Sequence, residues 1–189
     1  RSQELIKTAI NNAIASQHQY ITALHILKAM LDENDNVIEK IITQSGGNIS
    51  RLKNDVNEAF LKIPQVSGNV QTVASQDFSA VTLSAEKIAD KANDKYVTVE
   101  RLLQALVTTA GNEAYNILKS NDINPQKMNQ VISDYRQGRL ADSVNAEDNF
   151  EALKKYAIDI TAKAKEGKLD LQHIGIDDGD KENVQYPAD

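Results

Sequence analysis

The sequence predicts an all-α fold, a tandem pseudo-twofold repeat of two four-helix units followed by a linker and one extra helix. Three observations predict it. The stretch YITALHILKAML (Tyr20–Leu31) returns 76 positions later as YVTVERLLQALV (Tyr96–Val107). The register holds on both sides: Ala9 and Ala13 fall on Ala85 and Ala89, Ile41 and Ile42 on Ile117 and Leu118, and Leu52 and Val56 on Met128 and Ile132. The apolar residues recur at helical spacing, and self-similarity at a fixed period marks a duplicated structural unit. Two copies are too few for a solenoid, so they are expected to pack on each other as one domain.

The first unit, about residues 1–64, reads as four helices. Gln3–Ser16 carries Leu5, Ile6, Ala9, Ile10, Ala13 and Ile14 on one stripe. Thr22 stands as an N-cap before Leu24, Ile26, Leu27, Met30 and Leu31. After the polar break Asp32–Asn36, Asp35 or Asn36 caps a third helix through Val37, Ile38, Ile41 and Ile42, which Gly46-Gly47 stops. Asn48 or Ser50 opens a fourth, with Leu52, Val56, Ala59 and Phe60 inward, ended before Pro64.

Residues 65–77 mix Gly, Ser, Asn and Gln without periodicity and read as the connector, with room for a short extended piece. The second unit, about 77–136, repeats the four helices at about Ser79–Ala92, Thr98–Thr108, Asn112–Ser120 and Pro125–Arg136. Asn124-Pro125 is a cap followed by proline at the first helical position. Gln137-Gly138-Arg139 ends the repeat domain (1–139). Beyond it, Asn145 caps a helix over 146–166 bearing Phe150, Leu153, Tyr156, Ala157 and Ile160, and Gly167 ends it.

Composition narrows the function. A 41% hydrophobic share supports a sizeable core, built mostly of Leu, Ile, Val and Ala because aromatics are few and Trp is absent. The net charge of −6 argues against nonspecific nucleic-acid binding and against an anionic membrane surface. No apolar run approaches a membrane span. There is no Cys, hence no disulfide and no thiolate metal site. The chain starts at Arg1 without Met, so a preceding segment is expected.

Catalytic motifs do not emerge. Lys119-Ser120 is the only Lys followed by Ser, and no glycine-rich loop precedes it to cradle a phosphate. His18 and His25 lie seven residues apart across a helix start, a spacing not expected to converge two imidazoles on a metal. Neither a metal site nor a Ser–His–Asp set is assigned. The sequon Asn48-Ile49-Ser50 has no secretory context and is discounted.

The doubled pattern aromatic–(I/V)–T–x–x–(H/R)–(L/I)–L–x–A–(L/M)–(L/V) resembles the N-terminal domain of the Clp/AAA+ unfoldases. The stretch GRLADSVNAEDNFEALKKYAIDITAKAKEGKLD (138–170) sharpens this. It resembles the linker and lead-in helix before the first ATPase ring of a ClpB-type disaggregase, giving 140–170 as linker and helix toward a missing AAA+ module. After Asp170 the family's Pro-Val-Ile-Gly-Arg is replaced by Leu171-Gln172-His173-Ile174-Gly175-Ile176 and an acidic tail. The resemblance is therefore set to residues 1–170, and 171–189 is expected to be disordered.

The resemblance implies a substrate-binding module that captures unfolded or aggregated polypeptide, without catalysing anything itself. In the intact family member, a hexameric ATPase, ATP and Mg belong to modules missing here, and an Hsp70-type chaperone is met only through absent parts. The isolated chain is expected to be monomeric and cytoplasmic, with no nucleic-acid or membrane partner. The family associates acids at the positions of Asp94 and Glu100 with engaging unfolded protein. The groove beside them is assigned to Val81, Leu83, Tyr96 and Val97, which, read as residues alone, are buried core, Leu83 above all. Read as residues alone, Asp94 is a turn residue and Glu100 a first-turn acid favoured by the helix dipole. The alternative function is an adaptor-protein docking domain of a Clp-type unfoldase, recognising one folded partner.

Overall fold

A computed structural model describes residues 1–69 and 71–137. The linker, the helix over 146–166 and the acidic tail lie outside the described residues.

The helices are α1 (Ser2–Ala15), α2 (Ala23–Asp32), α3 (Asn36–Gln44), α4 (Ile49–Leu61), α5 (Gln76–Lys91), α6 (Val99–Thr108), α7 (Glu113–Ser120) and α8 (Pro125–Arg136). Two short strands, β1 (Tyr20–Ile21) and β2 (Val73–Ala74), pair in parallel, Tyr20 opposite Val73 and Ile21 opposite Ala74. The expected short extended piece of the connector is β2.

Side-chain caps set most helix starts. Asp35 accepts from Val37 and Ile38, Asn48 from Arg51, Ser75 from Phe78, Asn112 from Tyr115 and Asn124 from Lys127. The expected start of α5 at Ser79 moves to Gln76, because Ser75, inside the polar connector, supplies its cap.

The core centres on α2 and α6, most of whose residues are buried. Helix α2 packs on α1, α4, α5 and α7; helix α6 packs on α5, α7, α8 and α2. Exchanging the two halves maps α1 on α2 onto α5 on α6, and α3 on α8 onto α7 on α4. This is the pseudo-twofold relation the repeat predicts.

The axis passes close to Gly46 and Asp122, which are equivalent in the two copies. Both have positive φ, 105° and 62°. A Cβ on Gly46 would stand 2.8 Å from the Asp122 carbonyl oxygen. Nearby, Asn124 N–H donates to the Ser45 carbonyl at 3.2 Å and ties the copies backbone to backbone.

Candidate functional site

The residues that follow the first helix of each copy build two equivalent clusters. In copy two, α5 ends with Asn93 in the left-handed region, φ 61°. Asp94 N–H then bonds back to the Ala89 carbonyl at 2.9 Å. In copy one, Gln17 takes φ 58° and His18 N–H bonds to the Ala13 carbonyl at 2.9 Å. Both are Schellman-type closures, in which a left-handed residue lets the next amide satisfy an orphan helix carbonyl. The chain reverses there, so the following side chain faces the start of the next helix.

In copy two that side chain is the Asp94 carboxylate, 0% exposed. Arg101 Nε donates to it at 2.8 Å, and Arg136 donates through Nη1 and, at 2.7 Å, through Nη2. Burial alone would lower the Arg136 pKa, but the Asp94 hydrogen bond and charge hold it above its ordinary value, with Glu100 adding to the effect. Arg101 is itself held by Gln104, whose amide donates to Asn129 at 2.9 Å.

In copy one the same positions hold His18, His25 and Phe60. Thr22 N–H donates to His25 Nδ1 at 2.9 Å, which makes Nδ1 the acceptor and leaves the proton on Nε2. That nitrogen lies 2.9 Å from His18 Nδ1. Phe60 meets both rings edge-on, 4.9 and 5.4 Å between centroids, and Lys28 Nζ lies 5.0 Å from its centre. Burial and then the charge of His18 push the His25 pKa down to about 4, and burial lowers His18. The expectation that these imidazoles do not converge is corrected. It rested on the helix start between them, but the left-handed turn at Gln17 folds His18 back onto α2. Two imidazoles do not make a metal centre, and among the described residues no group of three or more His, Cys, Asp or Glu could hold a metal ion.

The residues assigned to a groove on copy two differ in accessibility. Val81 is 0% exposed. It shares a stripe with Phe78 and Ala85, whose spacing turns all three to the core. Leu83, two positions on, faces outward at 36% exposure. Tyr96 is buried at 7% and Val97 is buried as well, its carbonyl accepting from Ser2 Oγ at 2.8 Å. Glu100 is half-buried. Asp94 is not an open acidic rim, because two guanidinium groups enclose its carboxylate.

An open groove lies beside the equivalent tyrosine of copy one. Tyr20 is 47% exposed. With Leu24, Ala59, Ile63, Pro64 and Val66 it borders a groove of about 580 Å³, and Lys62, Asp77 and Glu113 supply the charges. Sequence reasoning missed it, although the signal was present: the 76-residue shift that pairs Tyr20 with Tyr96 also pairs His18 with Asp94, His25 with Arg101 and Phe60 with Arg136.

Comparison with known proteins places this geometry. The family described as the Clp repeat (R) N-terminal domain matches residues 1–121. A Rhizobium meliloti protein named chaperone protein ClpB is 42% identical over 186 residues, taking in 98% of this chain and 21% of the relative. A Rickettsia felis protein of the same name is 38% identical over 187 residues, 97% of this chain and 21% of the relative. The chain thus spans about a fifth of the length of the curated relatives it matches. These alignments run past Asp170, which corrects the expectation that the resemblance stops there. Among solved structures, the Hsp104 N-terminal domain from Candida albicans shares the fold with a TM-score of 0.66 at 19% identity, over 76% of this chain and 93% of that one.

Proposed function

The chain belongs to the Clp repeat N-terminal domain family, and from that premise we propose that it is the polypeptide-capturing module of an ATP-dependent disaggregase. The observation that carries the reading is the open apolar groove beside Tyr20, a concave surface lined mainly by Leu24, Ala59, Ile63, Pro64 and Val66. Exposed apolar surface of this kind costs solubility and is retained where it binds something. On the second copy Leu83 faces outward and Glu100 is half-buried.

In this reading Asp94 acts as a positioning residue. It fixes the loop Tyr96–Glu100 through Arg101 and Arg136, and Glu100 is the acid nearer to solvent. Capture is weak and reversible, because a shallow groove holds few side chains at once. ATP and Mg are assigned to other modules of the larger protein, as is the hexameric assembly. A cytoplasmic location goes with the bacterial chaperones it resembles.

The test is an NMR titration of the isotopically labelled 189-residue chain with reduced, carboxymethylated α-lactalbumin and, separately, with the native protein. The reading predicts shifts with the unfolded form only, in fast exchange and confined to the groove beside Tyr20 and the surface at Leu83. Shifts with neither would reject capture and favour docking of one folded adaptor.

A further inference from the structure

The groove on copy one runs beside a sheet edge. In the ladder, Val73 N–H donates to the Gln19 carbonyl at 3.0 Å and Ser75 N–H to the Ile21 carbonyl at 2.9 Å. Parallel pairing draws on alternate residues of a strand, so the N–H and C=O of Tyr20 lie on the edge turned away from β2. Among the described residues neither is used by the β1–β2 ladder. An edge of this kind is a template for another extended chain. The molecule already uses the adjoining positions so: Gln65 forms an antiparallel bridge with His18, and Val66 N–H donates to the Gln17 carbonyl at 2.8 Å. The connector bridges β1's approach but does not cover Tyr20, whose ring stays exposed.

We infer that the first copy carries a strand-addition site for an extended polypeptide segment, paired with Tyr20 along the outer edge of β1. The segment seats an apolar side chain between Leu24, Ala59 and Ile63. Among the described residues lining the groove, Asp77 and Glu113 stand against Lys62; Asp77 already accepts from the Ala23 amide at 3.1 Å, so Glu113 in particular favours a Lys or Arg next to the segment's apolar residue. Main-chain pairing provides affinity that is indifferent to sequence, and the groove selects the side chain. This inference deepens the proposed capture function and rests on it. It requires an unfolded occupant, since a folded partner seldom presents a spare extended strand.

The probe is a capped ten-residue peptide of alternating Leu and Thr with two Lys, titrated into the labelled full chain. A second peptide of the same sequence carries N-methyl groups on alternate amides. Strand addition predicts shifts at Tyr20, Ile21, Leu24 and Ile63, protection of the Tyr20 amide from exchange, and at least about tenfold weaker binding by the methylated peptide, the equivalent of one or two lost hydrogen bonds. Tyr20→Ser is expected to weaken binding, and Glu113→Gln to reduce the preference for the Lys-bearing peptide over one with Glu in place of Lys. Shifts confined to Leu83 and Glu100, or equal binding by the methylated peptide at the groove, would overturn the inference and leave capture standing. Absence of shifts with the peptides and with unfolded α-lactalbumin alike would overturn both.

Discussion

His18 and Asp94 occupy one position in two copies of the same turn. Each gives its amide to the carbonyl of an alanine five residues back at 2.9 Å, and each reaches the side chain seven residues ahead, at 2.9 Å in one case and 2.8 Å in the other. The duplicated backbone is kept while its chemistry has diverged, to neutral imidazoles against Phe60 in copy one and to an ionic trio in copy two.

The ionic trio is a stability element first. Removing Asp94 leaves two guanidinium groups facing each other with their carboxylate gone. Asp94→Ala is expected to cost about 3–5 kcal/mol, as breaking a buried ion pair does. Urea denaturation followed by circular dichroism measures it. A cost under about 1 kcal/mol would show that solvent, not protein, satisfies these arginines.

The imidazole pair predicts an acid-sensitive fold. His25 stays neutral in the folded chain down to about pH 4 but takes a proton near 6.5 when unfolded. The unfolded state therefore binds more protons in that window, and stability falls as pH drops from about 6.5 to 4. The loss from His25 amounts to roughly 2–3 kcal/mol at most. His25→Gln, which keeps an acceptor at the third helical position and does not titrate, should flatten the profile. An unchanged slope in that variant would remove His25 as its source.

Gly46 and Gly111 make a matched pair for the interface between copies. Both have strongly positive φ, but only Gly46 has a backbone atom in the way of a Cβ. Gly111→Ala should cost about 1–2 kcal/mol, the conformational penalty alone. Gly46→Ala should cost clearly more, because Asp122 would have to move. Equal melting temperatures for the two variants would contradict the close approach.

Much of the fold was legible because it is written locally. Apolar stripes, caps at Thr22 and Asn124 and the proline after the latter declare their helices without reference to the rest of the chain. The two strands were not legible as strands: two residues cannot show alternation, and each is defined by a partner some fifty positions away. The two copies differ in exposure for a related reason. Tyr20 and Tyr96 share a motif letter, but burial is a tertiary property, and only packing leaves the first exposed and the second covered. The clusters around His18 and Asp94 could have been found by carrying the 76-residue register to polar positions as well as apolar ones.

The central claim is that this chain binds unfolded polypeptide through an open apolar surface on its first copy. The most direct measurement is fluorescence anisotropy of labelled, unfolded α-lactalbumin against the full chain and its Tyr20→Ser and Leu83→Ser variants, each first checked for native stability. The account predicts weak saturable binding that Tyr20→Ser reduces more than Leu83→Ser, and no binding of the native lactalbumin. Equal affinity for folded and unfolded lactalbumin, or binding untouched by Tyr20→Ser, would contradict it.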